Sequence, residues 1–242
     1  MFNKCVVDLG GYRGQDTLMY LTQGYYVYTI EANPLLAEAI IQSIPEQYKN
    51  NYQVLNLGIS DKIEESNFYI NHYPQWSSFD KTIGSRKAHW QKNQPVGLDS
   101  VIKLQTTTLE TLYKRYVMKK FNSIEYLKID IEGNDFPVVK SLENTNIRPK
   151  YISCEFSDIN MLNKMKNLGY TKFKLVNQKN IQGSIVSLTT VDGATIPYRL
   201  SRSASGPFGK DIKDWIGFEE ATVTINNLYQ PIGDWYDLHC SF

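Results

Sequence analysis

The sequence has 242 residues, with 26 Lys and Arg against 25 Asp and Glu, so its formal net charge is only +1. This balance excludes a strongly basic nucleic-acid binder, and no polybasic block favours a membrane surface. No apolar run approaches the length of a transmembrane span, and Asp8 and three glycines interrupt the early apolar run, unlike a signal peptide. We expect one domain over residues 1–242, standing alone or within a longer protein.

The cysteines indicate the redox compartment. Cys5, Cys154 and Cys240 are odd in number and lie far apart in the chain. Such usage favours reduced thiols over a disulfide framework. We therefore predict a cytoplasmic location.

Short apolar runs rich in β-branched residues alternate with segments of helical periodicity. Strands are predicted, in chain order, at 4–10, 25–32, 52–60, 65–71, 101–108, 124–132, 150–157, 171–178 and 234–242. Helices are predicted at 15–23, 34–44, 109–116 and 158–168. Asn33 followed by Pro34 is typical of a helix start, and residues 73–100 and 180–230 read as an irregular segment and an insertion.

This alternation predicts an α/β fold with a doubly wound sheet. Ligands of such sheets bind where the strands end, and the stretch VVDLGGYRGQDT places three glycines after the first strand. Gly10 allows a tight turn, Gly11 removes a side chain, and Gly14 lets the following helix pack closely. A turn of this kind between a buried strand and a helix favours a bound ligand over a plain connection.

The spacing around this turn discriminates between cofactors. The dinucleotide pattern G-x-G-x-x-G does not occur here; Asp8, Gly10 and Gly14 instead form D-x-G-x-x-x-G. An aspartate at the turn would repel a pyrophosphate and attract a cation, and S-adenosylmethionine carries an ammonium and a sulfonium. Glu31 ends the second strand, where a carboxylate can accept both ribose hydroxyl hydrogens or can remain a solvated charge.

Five segments in this order carry a family resemblance: VVDLGGYRGQDT, YTIEANP, LNLGISD, YLKIDIEGND and YISCEFS. Together they resemble the FkbM family of S-adenosylmethionine-dependent O-methyltransferases over about residues 4–157. The chain departs from that family at Asp135, where a glutamate is usual, and over 180–230. The resemblance implies a Rossmann-like class I methyltransferase fold with an antiparallel last strand. It also implies methylation of a hydroxyl on a sugar, glycolipid or polyketide.

The matched segments imply the cofactor site. The implied cofactor-binding residues are Asp8, Gly10, Gly11, Tyr12, Gly14, Thr17, Glu31, Ala32, Asn33, Gly58, Ile59 and Asp130. Partners are expected to be a small-molecule or glycan acceptor and no nucleic acid.

Acidic residues after the central strand are the candidates for chemistry. A sugar hydroxyl is a weak acid, so methyl transfer to it needs a base or a metal that polarises the oxygen. Asp130 ends the strand, and Glu132 shares its face in an extended run. Both are predicted to be catalytic, although either could instead order the loop or pair with Lys128.

A divalent metal is the second way to activate the hydroxyl. Asp130, Glu155 and His239 are the predicted ligands, with His239 also a catalytic candidate, because the last strand is expected to return beside the site. Two neighbouring carboxylates repel unless a proton or a cation lies between them, which favours the metal.

The segment 72–92 combines aromatic, hydroxyl and basic side chains. Its predicted substrate contacts, together with Glu155, are Trp76, Ser77, Ser78 and Arg86, with Trp90 and Lys87 nearby. Aromatic and hydroxyl groups suit a sugar ring, and arginine suits a nucleotide diphosphate. The alternative is a packed surface loop anchored by its tryptophans.

Two rival functions remain open from the sequence. A nicotinamide-dependent sugar-nucleotide oxidoreductase would share the glycine turn and Glu31, and Tyr116 and Lys120 give a Y-x-x-x-K spacing. A non-catalytic binding module of a larger glycan-synthesis protein would share the same fold.

Overall fold

The fold is taken from a computed structural model that describes residues 4–87, 97–202, 204–228 and 234–242. The strands are β1 (Cys5–Leu9), β2 (Tyr26–Ile30), β3 (Tyr52–Leu55), β4 (Gly58–Ile59), β5 (Glu65–Asn71), β6 (Leu98–Thr107), β7 (Tyr126–Ile129), β8 (Tyr151–Glu155), β9 (Lys172–Asn177), β10 (Ile185–Thr189), β11 (Thr195–Arg199) and β12 (Tyr236–Ser241). The α-helices are α1 (Gln15–Thr22), α2 (Pro34–Ser43), α3 (Lys81–Gly84), α4 (Leu109–Leu112), α5 (Asp135–Ser141), α6 (Ile159–Asn167), α7 (Gln178–Ile181) and α8 (Phe218–Asn226).

Seven strands form the central sheet in the order β3-β2-β1-β7-β8-β12-β9. The pairs from β3 through β8 are parallel, and β12 runs antiparallel between β8 and β9. This confirms the predicted mostly parallel sheet with an antiparallel last strand. Because β12 runs the other way, its first residues lie at the edge where the parallel strands end.

Both faces of the sheet are covered, as the run of apolar residues in β1 predicts. Cys5, Val7 and Leu9 face one core, which α5 and α6 cover. Val6 faces a second core with α1, α2 and the β10–β11 hairpin. Asp8 also lies on this second face. Burying a charged or polar side chain there costs free energy unless the side chain has a hydrogen-bond or ion-pair partner.

Two predicted segments are divided differently in the structure. The stretch 52–60 is two strands, because Asn56 interrupts it and donates from Nδ2 to the carbonyl oxygens of Glu31 and Ala32. After that break β4 pairs with β6 in a separate three-stranded sheet with β5. The segment 73–100 is not wholly irregular either, since Asp80 caps α3.

Further elements lie where no helix or strand was predicted. Helix α5 begins directly after the KIDIEGN loop and tolerates Pro137 because the proline lies in its first turn. The insertion 180–230 contains the β10–β11 hairpin and α8. Among the described helices, none has the length and apolar character that crossing a membrane requires.

Candidate active site

A cavity of about 760 Å³ follows the edge at which the parallel strands end. Its wall includes Glu31 after β2, Gly10 after β1, Asp130 after β7 and Glu155 at the end of β8. Its far end is lined by residues after β9 and at the start of β12. The sheet order therefore places the predicted cofactor turn and the predicted catalytic acids in one continuous space, as open α/β sheets do.

The glycine turn is built from close approaches. Gly10 has φ +87°, and a Cβ there would overlap the carbonyl oxygen of Asp130. A Cβ at Gly11 would overlap the Thr29 side chain, and both glycines donate N–H bonds to the Ile30 carbonyl oxygen. Gly14 packs against Ile40 of α2 and starts α1 with φ +78°. The three predicted roles thus correspond to three separate contacts.

Glu31 is buried and held in place by the backbone. Its Oε2 accepts from the Tyr12 N–H at 2.8 Å, and its Oε1 accepts from the Asn33 N–H at 2.8 Å. Burial raises its pKa to about 7, against the lowering effect of these two bonds. A carboxylate has about four acceptor positions, so two remain for a ligand in the cavity that Glu31 lines.

A buried lysine organises the floor of the cavity. Lys128 Nζ lies 3.4 Å from Asp8 Oδ1, 3.6 Å from Asp16 Oδ2 and 3.4 Å from Asp130 Oδ2. It also donates to the Gly10 carbonyl oxygen at 3.2 Å. Burial alone would lower the pKa of Lys128, but these three carboxylates, together with that of Asp237, raise it well above its ordinary value. The pairing with Lys128 that competed with a catalytic role for Asp130 is therefore present.

The structure corrects the predicted role of Asp8. Its side chain is fully buried and does not line the cavity, because it lies on the covered face of β1 beneath the turn. Thr17, another predicted cofactor contact, is also buried and donates from Oγ1 to Asp8 Oδ2 at 2.8 Å. Asp8 thus pairs with Lys128 and is held by Thr17, while Asp16 and Asp130 line the cavity.

The other predicted cofactor residues divide into two groups. Tyr12, Ala32 and Ile59 line the cavity. Asn33 is buried outside it and caps α2 by accepting from the Leu35 N–H. Gly58 is also outside, and a Cβ there would overlap the Phe79 ring, which does line the cavity. Asn33 and Gly58 thus affect the site only indirectly, through the start of α2 and through the Phe79 ring.

The acidic group near the centre of the cavity has raised pKa values. Burial raises the pKa of Glu132 to about 8, with Arg86 lowering it and Asp130 raising it. Burial likewise raises the pKa of Glu155 to about 7, with Asp130 and Asp135 adding to the effect. Carboxyl groups that titrate near neutral pH can exchange protons with a substrate, as functional sites require.

The segment after β5 contacts this acidic group directly. Arg86 Nη2 lies 2.9 Å from Glu132 Oε2, and its guanidinium carbon lies 4.4 Å from the centre of the Trp76 ring. Ser78 is buried and donates to the Glu132 carbonyl oxygen at 2.6 Å. Trp76, Ser77 and Arg86 line the cavity, whereas Ser78 does not. Trp90 lies outside the described residues.

His239 does not reach the site, which corrects both of its predicted roles. It is fully buried beside Phe208, and burial lowers its pKa to about 3. Because β12 runs away from the cavity, His239 lies two residues, or about 7 Å, beyond Asp237, which does line it. Within the described ranges, no three His, Cys, Asp or Glu side chains are placed to hold a metal ion. The predicted set of Asp130, Glu155 and His239 is therefore wrong.

Two residues that line the cavity, Asp16 and Gln178, were not predicted. Asp16 follows the glycine turn, and burial raises its pKa to about 6 while Lys128 lowers it. Gln178 directly follows β9. The one feature of the sequence that could have pointed to these residues is their position, next to the glycine turn or at the end of a predicted strand.

The Y-x-x-x-K pair lies at the opposite edge of the sheet. Lys120 Nζ lies 3.6 Å from the centre of the Tyr26 ring, at the start of β2, and the Tyr116 carbonyl oxygen accepts from Tyr28. Neither residue lines the cavity. This spacing therefore gives no support to a nicotinamide-dependent oxidoreductase.

Comparisons with known proteins agree with the resemblance in the sequence. The profile of the methyltransferase FkbM domain matches residues 8–172. Solved structures with a similar fold include a precorrin-6y C5,15-methyltransferase from Geobacter metallireducens, at 6% identity and a TM-score of 0.41, with 99% of this chain and 80% of that chain covered.

Two further similar structures are equally distant. One is a precorrin 8w decarboxylase from Methanobacterium thermoautotrophicum, at 10% identity and a TM-score of 0.42, covering 100% of this chain and 83% of that chain. The other is phosphoethanolamine N-methyltransferase 1 of Haemonchus contortus, at 8% identity and a TM-score of 0.43, covering 100% of this chain and 37% of that chain. No curated protein sequence matches this chain. The profile match and the strand order show that the chain belongs to the FkbM family of methyltransferases and has its Rossmann-like class I fold.

Proposed function

We propose that this chain binds S-adenosylmethionine and methylates a hydroxyl group of a sugar, carried as a nucleotide sugar, a glycan or a glycolipid. The observation that carries this proposal is the single cavity that joins Glu31 and the glycine turn to Glu132 and Glu155. One end of the cavity suits a nucleoside with a cationic tail. The other end offers carboxyl groups that can take a proton.

The residues around the glycine turn fit this cofactor. Glu31 has acceptor positions left for ribose hydroxyls, and the missing side chains at Gly10 and Gly11 let a ligand lie against the backbone. Asp16 and Asp130 offer carboxylates to an ammonium group, and Lys128 offers a cation to a carboxylate. The same acids disfavour a pyrophosphate. When bound, S-adenosylmethionine supplies a methyl group on a good leaving group.

Glu132 is the favoured base within the acidic group. Its pKa of about 8 makes its carboxylate a stronger proton acceptor than an ordinary glutamate, and its contact with Arg86 keeps part of it ionised near neutral pH. Glu155 is the second candidate, with a pKa of about 7. Asp130 lies beside Lys128, so we assign it to holding the cofactor and the hydroxyl in position. Because no three donor side chains in the described part of the chain are placed to hold a metal ion, no metal enters this proposal.

Support for a sugar acceptor comes from the wall beside the acids. Trp76 and Phe79 line the cavity together with the hydroxyl of Ser77 and the guanidinium of Arg86. Aromatic faces with neighbouring hydrogen-bonding groups suit the apolar and hydroxyl sides of a sugar ring. The concentration of carboxyl groups disfavours a nucleic-acid acceptor. The three buried cysteine thiols of this chain remain our basis for inferring a cytoplasmic location.

Transfer of labelled methyl groups tests this function. The purified protein is supplied with labelled S-adenosylmethionine and with nucleotide sugars, oligosaccharides, small phenols and peptides in parallel. We expect product with sugars, at least a hundredfold less with Glu132→Gln, and full activity with Glu65→Gln, which makes the same change on the exposed surface. Turnover confined to phenols or peptides would refute the sugar acceptor, and cofactor binding without any transfer would indicate a binding module.

A further inference from the structure

The cavity continues beyond the acidic group to the last strand of the sheet. Gln178 directly follows β9, and three strand spacings, about 14 Å, separate the end of β9 from the end of β7, where Asp130 lies. One sugar ring cannot reach from Asp130 to Gln178. A single sugar therefore leaves this part of the cavity empty.

Gln178 has a carboxamide without a partner. The side chain is 2% exposed, and neither Nε2 nor Oε1 makes a hydrogen bond to any described residue. The residue lines the cavity, and its backbone N–H is fixed by the Trp235 carbonyl oxygen at 3.0 Å. Buried polar groups are nearly always hydrogen-bonded in native proteins, so an unpaired donor and acceptor beside a cavity point to a ligand.

The neighbouring side chains indicate the chemistry of that ligand. Trp235 lines the cavity with 38% of its surface exposed, which offers an aromatic face. Arg202 lines the cavity and is exposed, and two residues before it the Leu200 N–H donates to the carbonyl oxygen of Ser184, shortly after α7. A carboxamide can bond two adjacent hydroxyls at once, donating to one and accepting from the other. An aromatic face beside such a pair of bonds is suited to a saccharide.

Charge argues against a nucleotide at this end. Asp234 is already paired with Lys179 at 2.9 Å and with Asn177 at 2.8 Å. Asp237 and Glu155 lie on the path from the acidic group. Of the described residues lining this end, Arg202 alone carries a positive charge, so a diphosphate would find one cation there beside three carboxyl groups.

We propose that Gln178, Arg202 and Trp235 form a second saccharide subsite, which binds the neighbouring neutral sugar of an oligosaccharide acceptor. This inference rests on the proposed function and narrows its acceptor from sugars in general to chains of two or more. All three residues lie outside residues 8–172, which match the family profile. The subsite is therefore formed by the part of the chain that lies outside the family profile.

Binding and turnover are measured together to test this subsite. The probes are the methyl glycosides of glucose, galactose and N-acetylglucosamine, and the disaccharides cellobiose, lactose and chitobiose. Affinities are measured on protein saturated with S-adenosylhomocysteine, and kcat/KM is measured with S-adenosylmethionine. We expect at least one disaccharide to be preferred over its methyl glycoside at least tenfold in both measurements.

Variants separate a ligand-binding role from a structural one. Gln178→Leu keeps the size of the side chain and removes both unpaired groups, so it should keep or raise Tm while the disaccharide preference falls at least tenfold. Gln53→Leu makes the same change at an exposed position of β3 and should keep the preference. Trp235→Ala should also reduce the preference.

The outcomes distinguish this inference from the proposed function. Methylation of sugars with equal preference for both sizes, or an unchanged preference in Gln178→Leu, would overturn the subsite and leave the function standing. A lower Tm in Gln178→Leu with an unchanged preference would make the glutamine structural. Failure to bind or methylate any sugar would overturn both proposals.

Discussion

The Arg86 guanidinium lies 2.9 Å from the Glu132 carboxylate and stacks on Trp76 at 4.4 Å. This contact joins two segments that are far apart in the chain, one after β5 and one after β7. Because Arg86 is the principal group lowering the pKa of Glu132 against its burial, it sets the pH at which the carboxylate can act as a base.

Removing the charge of Arg86 should shift the pH dependence of catalysis. A base must be unprotonated, so kcat should rise with pH through the Glu132 pKa of about 8. In Arg86→Gln the lost cation no longer lowers that pKa, and the midpoint should move up by about one pH unit or more. Arg86→Lys keeps the charge and should shift the midpoint less. A midpoint equal to wild type in Arg86→Gln would remove Glu132 as the base.

Removing the buried lysine should destabilise the fold. Lys128→Met leaves Asp8 and Asp16 without their cation, which typically costs about 3–5 kcal/mol for a broken buried pair. The free energy of unfolding is measured in urea at pH 7.5. The double variant Asp8→Asn/Lys128→Met should recover part of the loss, and Lys119→Met, at an exposed position, should lose little. Equal stability of Lys128→Met and wild type would contradict the arrangement.

Much of this site was predictable because local patterns determine where strands end. Glu31 and Asp130 were placed correctly, since each directly follows an apolar strand, and the Asn33–Pro34 start of α2 is a local signal. Burial was not predictable in the same way. The alternation of β1 shows that Asp8 shares a face with Val6, but only the packing of α1 shows that this face is closed.

His239 and Gln178 show a second limit. The alternation of residues along β12 does not depend on whether the strand runs parallel or antiparallel to its neighbours. It therefore does not reveal that Asp237 lies at the cavity and His239 away from it. Gln178 is an ordinary residue in the sequence and becomes notable only because its partners are missing after folding. Both facts depend on how distant segments pack.

The acidic group should make stability fall as pH rises. The pKa of Glu155 is raised from 4.5 to about 7 in the folded state, so the folded protein binds a proton that the unfolded chain has lost within that window. Stability gained from this group is complete below about pH 4.5 and is lost as pH rises through 7.

Glu155→Gln removes this pH-dependent loss. It should raise Tm at pH 8 by about 2–4 °C for each kcal/mol relieved, first from burying the charged carboxylate and then from its repulsion by Asp130 and Asp135, and change it little at pH 4.5. The exposed Glu38→Gln should show no such difference between the two pH values. Thermal unfolding measures both, and a Tm for Glu155→Gln that equals wild type at pH 8 would show that the charged Glu155 is not destabilised by its burial and its neighbours.

Neutralising Asp130 tests the division of roles among the acids. Asp130→Asn should lower kcat at least a hundredfold, because the group that positions the cofactor and hydroxyl beside Lys128 loses its charge. Wild-type activity should be the same before and after treatment with EDTA, since the described carboxylates and His239 form no metal site. Activity that is lost in EDTA and restored by a divalent ion would contradict this, and full activity in Asp130→Asn would remove Asp130 from the reaction.

Calorimetry tests the central claim that the cavity binds S-adenosylmethionine through Glu31 and the glycine turn. Wild-type protein is titrated with S-adenosylmethionine and with NADP, and Glu31→Ala and the exposed control Glu38→Ala are titrated with the former. We predict binding of S-adenosylmethionine at one site, no binding of NADP, and a loss of about 1.5–3 kcal/mol in Glu31→Ala alone, since a charged hydrogen-bond partner is removed. Micromolar binding of NADP without binding of S-adenosylmethionine would contradict the account.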